Sequence, residues 1–157
     1  MNITLLYGTE TGNAEMLAED LQSHLEGDHE VELSNLCDFD PTTFDPGRFY
    51  IVVCSTYDDG NLPASAQPFA KAVAKAKPDL SDIHFAIFGM GDSEYDETFN
   101  HGSKRMEELL IAHGARKIGE RITHDASGSD LPEDLAIDWA DACIAEAETR
   151  LVEDTDA

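Results

Sequence analysis

Gly8-Thr9-Glu10-Thr11-Gly12-Asn13 is the stretch of sequence that decides the fold, because it joins a predicted strand to a predicted helix. The apolar run before it is typical of a buried strand, and the residues after it repeat apolar side chains at helical spacing. Such a turn directs free backbone N–H groups and the positive end of a helix dipole at one spot, which suits a phosphate. The two threonine hydroxyls add donors, and the two glycines let the backbone approach the anion closely.

Because the turn contains no Lys or Arg, we predict a cradled phosphate monoester rather than a nucleoside triphosphate. Taken alone, the turn is equally compatible with an ordinary helix cap, since Thr and Asn commonly cap helices.

Strand and helix patterns alternate along the rest of the chain. We predict strands at residues 2–7, 30–36, 49–54, 83–90 and 117–123, and helices at 13–26, 65–77, 103–113 and within 130–151. The continuous apolar runs at 49–54 and 83–90 are typical of strands buried on both faces. This alternation predicts the α/β class, as a three-layer sandwich around a five-stranded parallel sheet of order 2-1-3-4-5. We assign residues 1–152 to this single domain and residues 153–157 to an acidic tail.

The composition is strongly acidic. The chain of 157 residues has 33 Asp and Glu against 10 Lys and Arg, which gives a formal net charge of −23. This charge argues against binding to nucleic acid or to an anionic membrane, and it favours partners with basic faces. Two alternatives stay open, namely a solvated acidic surface without a partner and adaptation to high salt.

The cysteines and the apolar runs indicate the compartment. Cys37, Cys54 and Cys143 are widely spaced and form neither a metal-ligand pattern nor a disulfide framework, so we expect reduced thiols. Cys54 falls in a predicted strand and should be a small buried hydrophobe. No secretory signal pattern and no apolar run of membrane-spanning length is present. We predict a cytoplasmic protein that does not bind membranes.

Two further loops follow the predicted third and fourth strands, at residues 55–63 and 89–100. Each contains a tyrosine, Tyr57 in the first and Tyr95 in the second, and the strand order brings both loops beside the first turn. Two rings facing each other across a gap would hold a flat, partly apolar ligand. A phosphate cradle beside such a slot fits FMN.

Three motifs, each following its strand, carry a family resemblance: Thr9–Ala14; Ser55-Thr56-Tyr57 with Gly60 and Pro63; and Gly89–Tyr95. Leu131-Pro132-Glu133-Asp134 followed by Trp139 matches the final segment. On these residues the chain resembles the flavodoxin family over nearly its whole length, and specifically the short-chain MioC-type flavodoxins. It is also similar to the FMN domains of sulfite reductase and cytochrome P450 reductase. The resemblance therefore implies a flavodoxin-like fold and FMN as the cofactor.

The resemblance also implies a role for each matching residue. Residues Thr9, Glu10, Thr11, Gly12, Asn13 and Ala14 would hold the phosphate, and Ser55 and Thr56 would lie against the ribityl chain and the phosphate. Tyr57 and Tyr95 would flank the two faces of the isoalloxazine ring. Backbone groups of Asp58, Asp59 and Gly60, and of Gly91, Asp92 and Ser93, would meet the polar edge of the ring, and Phe99 and Asn100 would close the third loop. Two positions depart from the common pattern, since Ala14 stands where many members have Thr and Asp58 stands where Gly is common.

Acidic side chains crowd the loops that would surround the cofactor. They are Glu10, Asp58, Asp59, Asp92, Glu94, Asp96 and Glu97. Their Coulomb repulsion should disfavour the anionic, fully reduced flavin, which would make it a strong reductant. The same rim would dock basic faces of redox partners, with an affinity that falls as salt rises.

The predicted function is that of an FMN-binding electron-transfer protein that carries single electrons between a reductase and an acceptor enzyme. The resemblance implies a flavodoxin or ferredoxin NADP reductase as the donor, and we expect a monomer. We assign no catalytic residue and no metal ligand, because the sequence shows no acid–base pair, partnered nucleophile or metal-ligand cluster. Two alternatives are a small FMN-dependent NAD(P)H oxidoreductase on the same fold and a free-standing FMN subunit of a diflavin-type reductase system. A response-regulator receiver domain shares the strand order, but no Lys follows the fifth predicted strand at Thr123-His124-Asp125.

Overall fold

A computed structural model of the chain describes residues 2–8, 13–45, 47–55, 66–91, 101–119, 122–125 and 132–156. Within these ranges, parallel strands β1 (Asn2–Gly8), β2 (Glu30–Asn35), β3 (Phe49–Ser55), β4 (His84–Gly91), β5 (Arg116–Lys117) and β6 (Ile122–Asp125) form one sheet. The helices are α1 (Asn13–Leu25), α2 (Gln67–Ala76), α3 (His101–Ala112) and α4 (Pro132–Asp156). Short 3-10 turns at Leu36–Asp38 and Pro41–Thr43 follow β2. The α/β class predicted from the sequence is confirmed.

The strand order is β2-β1-β3-β4, with β5 and β6 both pairing with the far side of β4. The predicted order 2-1-3-4-5 is therefore confirmed, with the fifth position shared by two short strands. A single strand across residues 117–123 is not what the structure shows, because Gly119 between the two pieces has a left-handed backbone with φ of +70°. A strand cannot continue through that conformation.

Each face of the sheet buries its own core, because successive side chains of a strand point to opposite faces. On one face, Ile3, Leu5, Ile51, Val53 and Phe88 pack against α1 and α4. On the other face, Leu6, Val52, Cys54, Phe85 and Ile87 pack against α2 and α3. Helix α1 contributes Ala14, Leu17, Ala18, Leu21 and Leu25, whose spacing places them on one side of a helix.

Two residues singled out in the sequence, Cys54 and Trp139, belong to these cores. Cys54 is fully buried, as predicted for a strand cysteine. Trp139 of α4 is only 5% exposed, and its ring centroid lies 5.5 Å from that of Phe88, so it packs rather than stacking on a ligand. His84 at the start of β4 is also buried.

Charge is divided between the two faces of the sandwich. Helix α1 contains no Lys or Arg, and α4 contains only Arg150 among its many acidic residues. Helix α2 contains two lysines and no acidic residue. His24 Nε2 of α1 and Asp141 Oδ1 of α4 form an exposed hydrogen bond at 3.0 Å, which joins these two neighbouring helices.

The closing helix α4 extends to Asp156, so residues 153–156 of the segment assigned to the acidic tail are helical. No basic residue is present in its last turn. Over the described ranges, none of the helices is long and apolar enough to cross a membrane.

Candidate FMN site

The carboxyl ends of the central strands meet at one edge of the sheet. In the register of the sheet, Gly8 of β1 lies opposite Cys54 of β3, and Ser55 of β3 lies opposite Met90 of β4. Gly91 at the end of β4 lies opposite Asp125 at the end of β6. We call this the carboxyl edge: the last residues of β1, β3, β4 and β6. In doubly wound sheets, ligands bind beyond this edge where the strand order reverses, here between β1 and β3.

The structure describes four of the predicted site residues, and all four lie at or next to the carboxyl edge. Asn13 and Ala14 begin α1, Ser55 ends β3 and Gly91 ends β4. The remaining predicted residues lie outside the described ranges: Thr9, Glu10, Thr11, Gly12, Thr56, Tyr57, Asp58, Asp59, Gly60, Asp92, Ser93, Tyr95, Phe99 and Asn100. Their assignments to the cofactor therefore stay predictions.

The N-terminus of α1 follows the end of β1 after the segment 9–12. The first backbone N–H groups of a helix have no partner within the helix, and they carry the positive end of its dipole. Ala14 in the first turn is fully buried and belongs to the core between the sheet and helices α1 and α4. The flanking residues add no cation, because Tyr7, Gly8, Asn13, Ala14 and Glu15 include no Lys or Arg.

Tyr7 is a residue of this region that the sequence analysis did not assign. Burial, together with the nearby carboxylates of Glu15, Glu19 and Asp38, raises the pKa of Tyr7 to about 12. The phenol therefore stays neutral and remains a donor at physiological pH. A tyrosine near the end of a strand, eight positions before a helical glutamate, was the available sequence signal, but spacing alone does not show that the two groups are near each other.

Small residues at the carboxyl edge fit the approach of a flat cofactor. Gly8 ends β1, Gly89 and Gly91 lie in the last three residues of β4, and both Gly8 and Gly89 are buried. Without side chains, these positions allow a ligand to come close to the backbone. A helix N-terminus with no Lys or Arg among its described flanking residues suits a phosphate monoester, and together the two features fit a phosphorylated ring such as FMN. The class defined by this fold and edge is a doubly wound α/β protein whose ligand site lies beyond the carboxyl ends of its strands.

Comparison with known families identifies the family within that class. The flavodoxin family model matches residues 5–139, and the chain belongs to the flavodoxin family. It is accordingly an FMN-binding electron-transfer protein, which confirms the predicted cofactor and the predicted general function.

Individual relatives agree with this assignment. The chain is 34% identical over 145 residues to Protein MioC of Escherichia coli O157:H7, covering 91% of this chain and 96% of the relative. It is 33% identical over 125 residues to the sulfite reductase [NADPH] flavoprotein alpha-component of Bacillus subtilis, covering 78% of this chain and 20% of that protein. Among solved structures, a cysteine-to-alanine mutant of flavodoxin from Pseudomonas aeruginosa superposes with a TM-score of 0.75 at 29% identity, covering 94% of this chain and 99% of that one.

Proposed function

We propose that this protein is a free-standing electron carrier whose FMN lies beyond the carboxyl edge of the sheet. The observation that carries the proposal is the shared register of β1, β3 and β4, which brings Gly8, Ser55 and Gly91 to one edge next to the start of α1. Bound FMN supplies the redox chemistry, and the protein supplies binding, orientation and electrostatics. In this proposal residues 9–14 hold the phosphate, residues 55–60 and 91–95 surround the ring, and Phe99 and Asn100 close the third loop.

Cofactor binding can be tested directly on the purified protein. We expect a yellow protein with the visible spectrum of bound flavin, and recovery of that spectrum when FMN is added to the stripped protein. Riboflavin should bind much more weakly, because it lacks the phosphate that the start of α1 would hold. A protein that is colourless and whose melting temperature does not change with added FMN would refute the proposal.

The carrier role is the finer part of the proposal. Members of the flavodoxin family are electron carriers, which supports the same role for this chain. We propose that the donor is a basic-faced reductase of the NADP-dependent type and that the acceptor is an enzyme with a similarly basic face. The net charge of −23 supports such partners through electrostatic complementarity. Electron transfer from the reductase should slow as ionic strength rises, whereas NAD(P)H consumption by the isolated protein would instead favour an oxidoreductase.

A second candidate function has its own support. The match to the Bacillus subtilis flavoprotein covers only 20% of that larger protein, which shows that sequences like this chain occur as parts of larger flavoproteins. The chain would then be the free-standing FMN subunit of a diflavin-type reductase system. A stable complex with one reductase, isolated at low salt and dissociating at high salt, would favour this candidate over a diffusible carrier.

We further propose a cytoplasmic monomer. All three cysteines are free thiols, which is the usual state in a reducing compartment. Among the described residues, the large hydrophobic side chains that are exposed are Met16 and Ile111, on helices α1 and α3 of opposite faces. Neither face therefore offers an extended apolar patch in these ranges. Light scattering during size-exclusion chromatography should give one chain per particle.

A further inference from the structure

Met16 on helix α1 is the most exposed large hydrophobic residue among those that the structure describes. It is 64% exposed, whereas its neighbours Ala14, Leu17 and Ala18 are buried in the core. This helical spacing places Met16 on the side of α1 that faces away from the sheet. The packing of the described core therefore does not account for an apolar side chain at this position.

Met16 also lies close to the carboxyl edge. It is the fourth residue of α1, and only residues 9–12 separate the start of α1 from the end of β1. At a rise of about 1.5 Å per residue, Met16 is about 5 Å along the helix from its first residue. The exposed apolar side chain is thus near the site proposed for FMN, which a redox partner must approach closely to exchange an electron.

The side chains that follow Met16 on the same side of α1 are acidic. Glu19 and Asp20 come three and four positions later, which places them one turn further along the helix, and both are exposed. Helix α1 has no Lys or Arg. An apolar side chain beside carboxylates has the composition of a small interface with an apolar centre and a polar rim.

The two sides of the sandwich differ in charge. Helices α1 and α4 together carry twelve Asp and Glu residues and one Arg. The described ranges 66–91 and 101–119, which include α2 and α3, carry seven Lys and Arg residues and four Asp and Glu residues. A basic partner is therefore attracted more strongly to the α1 side of the carboxyl edge than to the α2 side.

We propose that the solvent side of α1 at Met16, Glu19 and Asp20 is the surface on which a redox partner docks, and we call it the α1 docking face. The inference rests on the proposed function. The partner is a protein whose contact surface has lysines or arginines around an apolar patch. Its cations pair with Glu19 and Asp20 and steer the encounter, while Met16 contacts the apolar patch and slows dissociation. The flexible thioether of Met adapts to differently shaped surfaces, which suits a carrier that binds a donor and an acceptor in turn.

Cytochrome c is the probe for this surface, because its exposed haem edge is apolar and ringed by lysines. Titrating the oxidised, FMN-loaded protein with ferric cytochrome c in a calorimeter measures the dissociation constant without electron transfer. We expect Met16→Ala to raise the dissociation constant about fivefold at low and at moderate salt, because contact between apolar groups is not screened. Met16→Leu keeps an apolar side chain of similar size and should bind as the wild type does.

Charge is tested by combining Glu19→Gln with Asp20→Asn. This variant should bind cytochrome c severalfold more weakly at low salt, and its difference from the wild type should shrink as salt rises. The matched control combines Asp82→Asn with Glu108→Gln, which makes the same change of net charge at two exposed positions, before β4 and on α3. We expect this control to bind much more nearly as the wild type does.

Ile111→Ala is the matched control for Met16→Ala, because Ile111 is 47% exposed but lies on α3. It should leave the dissociation constant unchanged. Equal effects of the two alanine substitutions, equal effects of the two charge pairs, or no binding of cytochrome c by the wild type at low salt would overturn the inference. If the wild type holds FMN and gives any of these results, only this inference fails; if the wild type does not bind FMN, the proposed function fails.

Discussion

Gly119 occupies a position where any side chain should cost stability for two separate reasons. It lies between β5 and β6 with φ of +70°, a backbone conformation that L-residues rarely adopt. A Cβ atom placed there would lie 2.9 Å from the Cys143 sulfur of α4. Cys143 is only 3% exposed, so its side chain cannot move aside into solvent. We therefore expect Gly119→Ala to destabilise the protein markedly.

The two costs can be given magnitudes. The left-handed conformation costs a residue with a Cβ about 1–2 kcal/mol. Relieving an overlap in a packed interior typically costs about 1–3 kcal/mol more. Together they predict a loss of about 3 kcal/mol in the free energy of unfolding, measured by urea denaturation at fixed salt.

A second substitution separates the two costs. Cys143→Ala removes the sulfur, and by itself should cost about 1 kcal/mol, as expected for a small buried group. Combined with Gly119→Ala, it should remove the overlap and leave only the backbone cost, so the double variant should be more stable than the sum of the single changes predicts. Gly27→Ala is the matched control, because nothing lies within 4 Å of its added Cβ and its φ is not positive. A Gly119→Ala protein as stable as the wild type would refute the backbone argument, and strict additivity with Cys143→Ala would refute the contact argument.

Three further predictions concern charge and pH. Because acidic residues exceed basic ones by 23, the melting temperature should rise steadily from low to molar KCl, and a flat response would show that repulsion is unimportant. Replacing Asp58 and Asp59 by Asn should raise the reduction potential of the bound flavin by tens of millivolts. The control Asp79→Asn, at an exposed position before β4, should leave that potential unchanged. An equal shift of the potential in both variants would contradict a local effect of charge. Burial raises the pKa of Cys54 to about 12 and that of Cys143 to about 11, so both thiols stay protonated in the folded protein where the unfolded chain releases protons near pH 9. The stability that these thiols contribute should therefore be complete below pH 9 and should fall as the pH rises toward 12. Urea denaturation at each pH measures this loss, and the free energy of unfolding should fall less steeply with pH in Cys54→Ala than in the wild type.

Most of the architecture could be predicted because the strands that determine it are buried on both faces. The apolar runs at 49–54 and 83–90 correspond to β3 (Phe49–Ser55) and β4 (His84–Gly91), with differences of only one residue at their ends. The fifth strand was predicted less well, because Arg116 and Lys117 have no strand-like apolar pattern and are recruited only by pairing with β4. The close contact at Gly119 likewise involves Cys143, which is distant in sequence.

The location of the site could be predicted for a topological reason, and its details less so. Once the strand order is known, the ends of β1, β3 and β4 must share an edge, whatever side chains they carry. The rotation of α1 about its axis after the turn has no such basis. That rotation is set by the packing of Leu17, Leu21 and Leu25 into the core, which a local pattern does not specify.

The uneven placement of lysines has a practical consequence for attaching the protein to surfaces. All five lysines lie on α2, directly after α2, on α3 or on β5: Lys71, Lys75, Lys77, Lys104 and Lys117. Coupling through lysine amines to an electrode or a bead would therefore tether the molecule by one side only. The helices on the opposite side, α1 and α4, would face the solution in copies tethered through a lysine, which makes electrochemistry on an oriented layer feasible without an engineered tag.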